Sequence, residues 1–205
     1  MGQVRPYRGV EAPERLAQRR QRFLEAGLDL LGSAEHDLAE LTVRAICRRA
    51  GVTVRYFYEC FTDKDDFVAA VFDWVINGIA TTTQAAAAAA PPRGQSRAVM
   101  TDIIRTVSED PRIGRLLFSS QLSNTVVVRK RAESGALFAM LSGRHASAAL
   151  RQSENDRIKA AAHFVVGGVG QTISAWLAGS FALDPDGLVD QLTAMVDQLA
   201  DPRLY

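Results

Sequence analysis

The chain has 205 residues, a formal net charge of +1, 47% hydrophobic and 23% charged residues. That is ordinary globular composition, which excludes a chain too short or too polar to bury a core and allows one or two small domains. A near-neutral total argues neither for nor against a nucleic-acid partner, so the distribution of charge has to decide.

Residues 1–12 read as an arm, with Arg5 and Arg8 available for phosphates or the minor groove. The first 24 residues hold six Arg against two Glu and no apolar h-region, so no secretion signal is visible. Helix 1 is predicted over 13–32, with Pro13 in its first turn. Leu16, Phe23, Leu24, Gly27, Leu28 and Leu31 lie on or near one stripe, and Arg19, Arg20 and Arg22 face away. Helix 2 is predicted over 42–50. Thr42 can cap it, and Val43, Ile46, Cys47 and Ala50 recur at i, i+3, i+4, i+7 as an inward stripe. Gly51 supplies the left-handed residue that ends this helix, because it has no Cβ to clash. Thr53 is placed to cap a second short helix, 53–60, from which Phe57 and Phe61 point inward. Opposite lie Arg44, Arg48, Arg49, Arg55, Tyr56 and Tyr58, and no Asp or Glu occurs between Thr42 and Tyr58. A helix–turn–helix with a basic, hydroxylic and aromatic outer face suits phosphates and base edges.

Helix 4 is expected from 63, with Asp65 and Asp66 complementing its dipole and Phe67, Val68, Val71, Phe72, Val75 and Ile79 as its stripe. The Thr81–Thr83 run disfavours helix, the alanines that follow favour it, and Pro91-Pro92 stops it, so 81–95 reads as the junction between domains. Helices are then expected at about 96–109, 111–122, 125–150 and 154–179. A ninth is capped by Asp184 with Pro185 in its first turn. No β-alternation of any length follows the helix–turn–helix, so the fold class is all-α with about nine helices. Residues 1–80 form an N-terminal domain and 81–205 a second.

The segment from Ala160 to Leu183 contains 24 residues without Asp, Glu, Lys or Arg. That length could span a bilayer, but His163, Gln171, Thr172, Ser174 and four glycines fit a buried helix at a subunit interface better. Gly167-Gly168-Val169-Gly170 lacks a preceding strand, a third glycine and a Walker lysine, so close packing replaces a nucleotide loop as its reading. Gly168, Thr172, Ala175 and Gly179 make a small-residue seam. With Trp176, Leu188, Leu192, Met195 and Leu199 they form the expected dimer interface. Histidines 36, 145 and 163 show no metal-ligand spacing, and no catalytic order of residues is readable, so neither metal, cofactor nor enzymatic activity is expected. Cys47 and Cys60 fit a cytoplasmic protein, with Cys47 a small core hydrophobe.

The stretch Thr42, Val43, Ile46, Ala50, Gly51, Val52, Thr53, Phe57, Tyr58, Phe61, Lys64 resembles the signature of the tetracycline-repressor (TetR) family of one-component regulators, over roughly residues 14–75. The connection between helices 1 and 2 departs from it: Ala34, Glu35, His36, Asp37 stand where a Gly and an aromatic are usual. The resemblance implies a homodimeric regulator of transcription that binds a near-palindromic DNA operator and is released by a small hydrophobic ligand. Thr53, Val54, Arg55 and Tyr56 would then meet base edges, while Thr42, Arg44, Tyr58 and Lys64 grip phosphates. Ile103, Val107, Leu117, Phe138, His163, Phe164 and Gln171 are candidates for an effector pocket enclosed by helices 5 to 8, with helix 4 as the one path to the DNA readers. The alternative function is a helical enzyme or small-molecule carrier in which the helix–turn–helix is incidental; a membrane-associated helical protein stands behind it.

Overall fold

A computed structural model describes residues 12–33, 41–153 and 155–199. Arg5, Arg8 and the departing 34–37 connection lie outside the described residues. The described chain is all-α, with nine α-helices and no strand: α1 (Ala12–Leu31), α2 (Val43–Ala50), α3 (Val54–Cys60), α4 (Lys64–Ala89), α5 (Gln95–Glu109), α6 (Pro111–Phe118), α7 (Thr125–Leu150), α8 (Asp156–Leu177) and α9 (Pro185–Gln198). None of these helices is long and apolar enough to cross a membrane.

Two cores hold the chain. The first is built on four phenylalanines. Phe57 sits 5.7 Å from Phe23, 5.3 Å from Phe61 and 5.7 Å from Phe67, centroid to centroid. Most of these rings meet edge to face or tilted, the arrangement their quadrupoles favour. Around them pack Leu28 and Leu31 of α1, Ile46 and Cys47 of α2, and Val68, Val71 and Phe72 of α4. Leu116 and Leu117 of α6, Leu122, and Val126 and Val127 of α7 complete the same core. The second core joins Met100, Ile104 and Val107 of α5 to Ile173 of α8 and to Leu188, Val189 and Leu192 of α9.

α4 differs from expectation at its far end. The junction read at 81–95 is helical through Ala89, and the threonines sit inside the helix. Their hydroxyls explain why. Thr81 Oγ1 donates to the carbonyl of Asn77, and Thr82 and Thr83 Oγ1 lie 2.7 and 3.1 Å from Oδ2 of Asp102 on α5. Asp102, only 3% exposed, is also paired with Arg105 at 2.6 Å, so its burial is compensated from both helices. Tertiary hydrogen bonds thus outweigh the modest helix cost of β-branched residues.

Helix ends follow local chemistry. Thr42 Oγ1 accepts from Ala45 N at 3.1 Å, and Gly51 adopts φ +64°, as expected for the α2 caps. Asp63 caps α4 through Asp66 N at 2.8 Å, while Asp66 accepts from Thr62 N and Oγ1. Asp184 caps α9 through Gly187 N. α6 stops at Phe118, short of the expected 122, because Arg131 of α7 reaches into its end. The guanidinium donates to the carbonyls of Arg115, Leu116, Ser119 and Leu122. Among the described residues no carboxylate sits opposite it, and desolvation pulls its pKa down.

Candidate nucleic-acid interface

α2 and α3 stand against α1 with their inner faces in the first core, which leaves a continuous outer face. Thr42, Arg44, Arg48, Arg49, Thr53, Val54, Arg55, Tyr58 and Lys64 are exposed on it. Tyr56 is half-buried and packs against the first core, so less of it faces outward than its position in α3 suggests. Thr53 occupies the cap position of α3 without making a side-chain cap bond, contrary to expectation. Its hydroxyl is therefore not committed to the helix, whereas that of Thr42 is.

The α1 arginines also depart from expectation. Rather than facing away, Arg19 and Arg20 hold α3 from across the domain. Arg19 lies with its guanidinium 3.9 Å above the Tyr56 ring and pairs with Glu59 at 3.2 Å. Arg20 donates to the Cys60 carbonyl at 2.7 Å and stacks 4.7 Å over Phe61. A cation at the C-terminus of so short a helix satisfies an orphan carbonyl and complements the dipole. Leu16, expected on the buried stripe, is exposed. Burial pushes both thiols up, Cys47 and Cys60 alike, although Arg19 and Arg20 oppose the shift at Cys60. A reactive thiol needs the opposite shift.

A second contact reaches the helix–turn–helix from α6. Asp29 on α1 accepts from Arg49 of α2 at 2.5–2.8 Å through one oxygen and from Arg112 of α6 through the other. Arg112 is itself held by Asp110 at 2.6 and 2.9 Å, which keeps the Asp110 carboxyl below the usual range. Arg115 donates to the Gly32 carbonyl at 2.9 Å. Lys130 of α7 meets Asp73 of α4 at 2.6 Å. α4 is therefore not the one path between the two halves of the chain, and α6 touches the base of the reader directly. Neither Asp29 nor Arg112 announces itself locally, because the pair is 83 residues apart.

The residues expected around an effector divide among three environments. Val107 belongs to the second core with Ile103 packed against it, and Leu117 belongs to the first. Phe138 is half-buried on α7. Phe164 is 70% exposed, and His163 and Gln171 are exposed on the same helix. They are not buried polar points within the domain; α8 packs through Ile158, Ala162 and Ile173 and turns these side chains outward. An open hollow of about 330 Å³ does exist, between the end of α4 and the start of α5, lined by Ala86, Arg97, Thr101, Asp102 and Arg105. It shares no residue with the expected pocket.

Of the residues expected at a dimer contact, Leu188 and Leu192 are 0% and 2% exposed inside the second core. Their stripe faces α5, which corrects that part of the expectation. Trp176 is half-buried, with its indole N–H donating to the Leu183 carbonyl at 2.8 Å. Thr172, Ala175 and Leu199 are half-buried, while Gly168 and Met195 are exposed. A Cβ at Gly168 would meet nothing within 4 Å. Gly179, at φ +74°, lies beyond the end of α8 and turns the chain rather than continuing the seam. On α7, Ala139, Gly143 and Ser147 are buried one turn apart.

Aromatic-packed short helices, a left-handed glycine between them and an outer face without carboxylates until Glu59 define a helix–turn–helix DNA-binding protein. Residues 23–71 match the model of the bacterial regulatory proteins of the tetR family. Over those residues the chain carries the DNA-binding region of that family.

Its fold is shared over nearly its whole length. The fatty acid degradation regulator FadR from Bacillus halodurans superposes with a TM-score of 0.71 at 15% identity, covering 87% of this chain and 94% of that one. FadR from Bacillus subtilis in complex with stearoyl-CoA gives 0.63 at 16%, covering 89% and 98%. NalD, the secondary repressor of the MexAB-OprM multidrug efflux pump in Pseudomonas aeruginosa, gives 0.65 at 16%, covering 90% and 96%. Among curated proteins none matches the chain in sequence.

Proposed function

We propose that this regulator is a homodimeric repressor of a near-palindromic operator, released by a small hydrophobic ligand, and that it catalyses no reaction. The observation that carries the DNA reading is the outer face of α2 and α3, where four exposed arginines, two hydroxyl residues and Tyr58 stand together. Arg55, Thr53 and Val54 are assigned to base edges, and Thr42, Arg44, Tyr58 and Lys64 to phosphates. Tyr56 has a smaller share than its position implies. The stearoyl-CoA bound by the Bacillus subtilis relative supports the hydrophobic class of effector.

Selection of duplexes from a randomised pool by the full-length protein tests this. An enriched near-palindrome with half-site centres about 34–36 Å apart is expected. Its affinity should fall with salt at a log–log slope of about −0.9 per neutralised phosphate. Arg55→Ala should relax preference at one or two base pairs by about 1–3 kcal/mol, whereas Lys64→Ala should weaken all duplexes alike. Equal affinity for every duplex, insensitive to salt, would refute the reading.

The dimer contact is assigned to the outer face of α8, where Phe164, Gly168 and Gln171 are exposed and Ala175 is half-buried, with the exposed Met195 of α9 joining it. Unpaired apolar surface of this kind marks an interface, and an isologous contact pairs α8 with its copy. Ala175→Arg should therefore convert the protein to monomers in sedimentation velocity and abolish cooperative binding to the two half-sites. Unchanged dimers would place the contact elsewhere. For the effector, the support is the apolar side of α7 beyond its Lys130 tie to α4, where Leu137 and Leu141 are exposed and Phe138 half-buried.

A further inference from the structure

The recognition helix carries a single carboxylate, Glu59, on a surface otherwise suited to a polyanion. Its two oxygens are divided between the domain's cations. Oε1 lies 3.5 Å from Arg55 Nε, one turn back on the same helix, and Oε2 lies 3.2 Å from Arg19 Nη1 on α1. Arg19 in turn covers the Tyr56 ring. One acid therefore restrains the single cation of the helix, Arg55, 86% exposed, and the cation that pins its neighbouring aromatic.

We propose that Glu59 is a positioning residue that sets sequence discrimination: it withholds Arg55 from phosphates and yields it only to a base edge. The inference rests on the DNA reading proposed above. On an arbitrary duplex, Arg55 gains a point-charge contact with a phosphate, and to make it must leave Glu59. The carboxylate is then left with Arg19 alone beside a polyanion, an unfavourable arrangement that arises whenever Arg55 turns to a phosphate. On the right base pair, Arg55 gains two directed hydrogen bonds from its Nη fork, which Glu59 leaves free because it touches the guanidinium at Nε, so the carboxylate keeps its partner. Glu59 so weakens indiscriminate binding more than it weakens the correct register. A glutamine at 59 keeps the size and hydrogen-bonding capacity of the side chain and removes the charge. Its contact with Arg19 is exposed enough that the domain folds without it.

The test compares two duplexes of equal length: one enriched by the wild-type protein from a randomised pool, the other of mixed sequence. Affinities are measured by fluorescence anisotropy for wild type, Glu59→Gln, Arg55→Ala and the double variant, with thermal unfolding of each. Glu59→Gln should tighten the mixed-sequence duplex about two- to fivefold, the span of an exposed ion pair, and lower discrimination by a similar factor. With Arg55 already removed, the same change should leave the discrimination ratio where Arg55→Ala puts it. A merely structural Glu59 would lower both affinities together with the unfolding temperature, and that result overturns the proposal, as does an unchanged ratio. If wild type enriches no sequence, the DNA reading itself fails and takes this inference with it. If wild type discriminates and Glu59→Gln does so equally, only the role of Glu59 is lost.

Discussion

Phe57→Ala is expected to destabilise the protein by about 3–5 kcal/mol, the usual range for removing a fully buried phenylalanine. Phe57 is 0% exposed and touches three other phenylalanines, one from each of α1, the end of α3 and α4. α3 spans only seven residues, which is too short to persist without its tertiary anchor. Removing the ring deletes transfer energy, leaves a cavity among stiff aromatic neighbours and loosens the helix proposed to read bases. Urea unfolding followed by circular dichroism gives the first effect, and duplex binding gives the second. A loss well under 1 kcal/mol would mean that the neighbouring rings refill the space, and the aromatic cluster would lose its role as the anchor of α3.

The second large effect is expected at Gly32, immediately after α1. A Cβ there would lie 2.6 Å from the Cβ and carbonyl oxygen of Arg112 and 2.7 Å from its Cα. Backbone atoms of another helix cannot swing aside as a side-chain tip can, so Gly32→Ala must push α6 off α1. Overfilling of this kind costs about 1–3 kcal/mol. The displacement also strains two contacts described above, Arg112 with Asp29 and Arg115 with the Gly32 carbonyl. Asp29 would then hold Arg49 alone. The expected result is a lower midpoint in thermal unfolding together with weakened ligand-free binding to the selected duplex. Wild-type stability for Gly32→Ala would show that α1 and α6 slide apart without cost, and α6 would no longer count as a support of the reader.

What the sequence made legible was local. Thr42, Gly51 and Asp184 stand where a cap needs them, and each acts within four residues of its partner. The stripe of Ile46, Cys47, Phe57 and Phe61 is decided by helical period alone. What stayed hidden depended on partners far along the chain. Arg19 and Arg20 read as solvent-facing because their contacts on α3 are 40 residues away. Thr81–Thr83 read as a break because Asp102 is invisible to a propensity argument. Helix 8 is apolar, and its hydropathy said that it would be covered without saying which face its own domain would take. The fold turns Ile158, Ala162 and Ile173 inward and leaves Phe164 and Gln171 outside. The same ambiguity put Leu188 and Leu192 on the wrong side of α9.

The first core draws Leu116, Leu117, Leu122, Val126 and Val127 from a stretch of chain far beyond the helix–turn–helix. A regulator assembled this way is not two interchangeable cassettes. Any exchange of the second half must carry α6 and the opening turn of α7 along with the reader, or else rebuild that wall. Substitutions in this stretch must keep the shape of the wall against the phenylalanine cluster. A chimera joined within α4 at residue 80 would leave part of the first core without its own wall. One that retains residues 111–127 from the same parent keeps it.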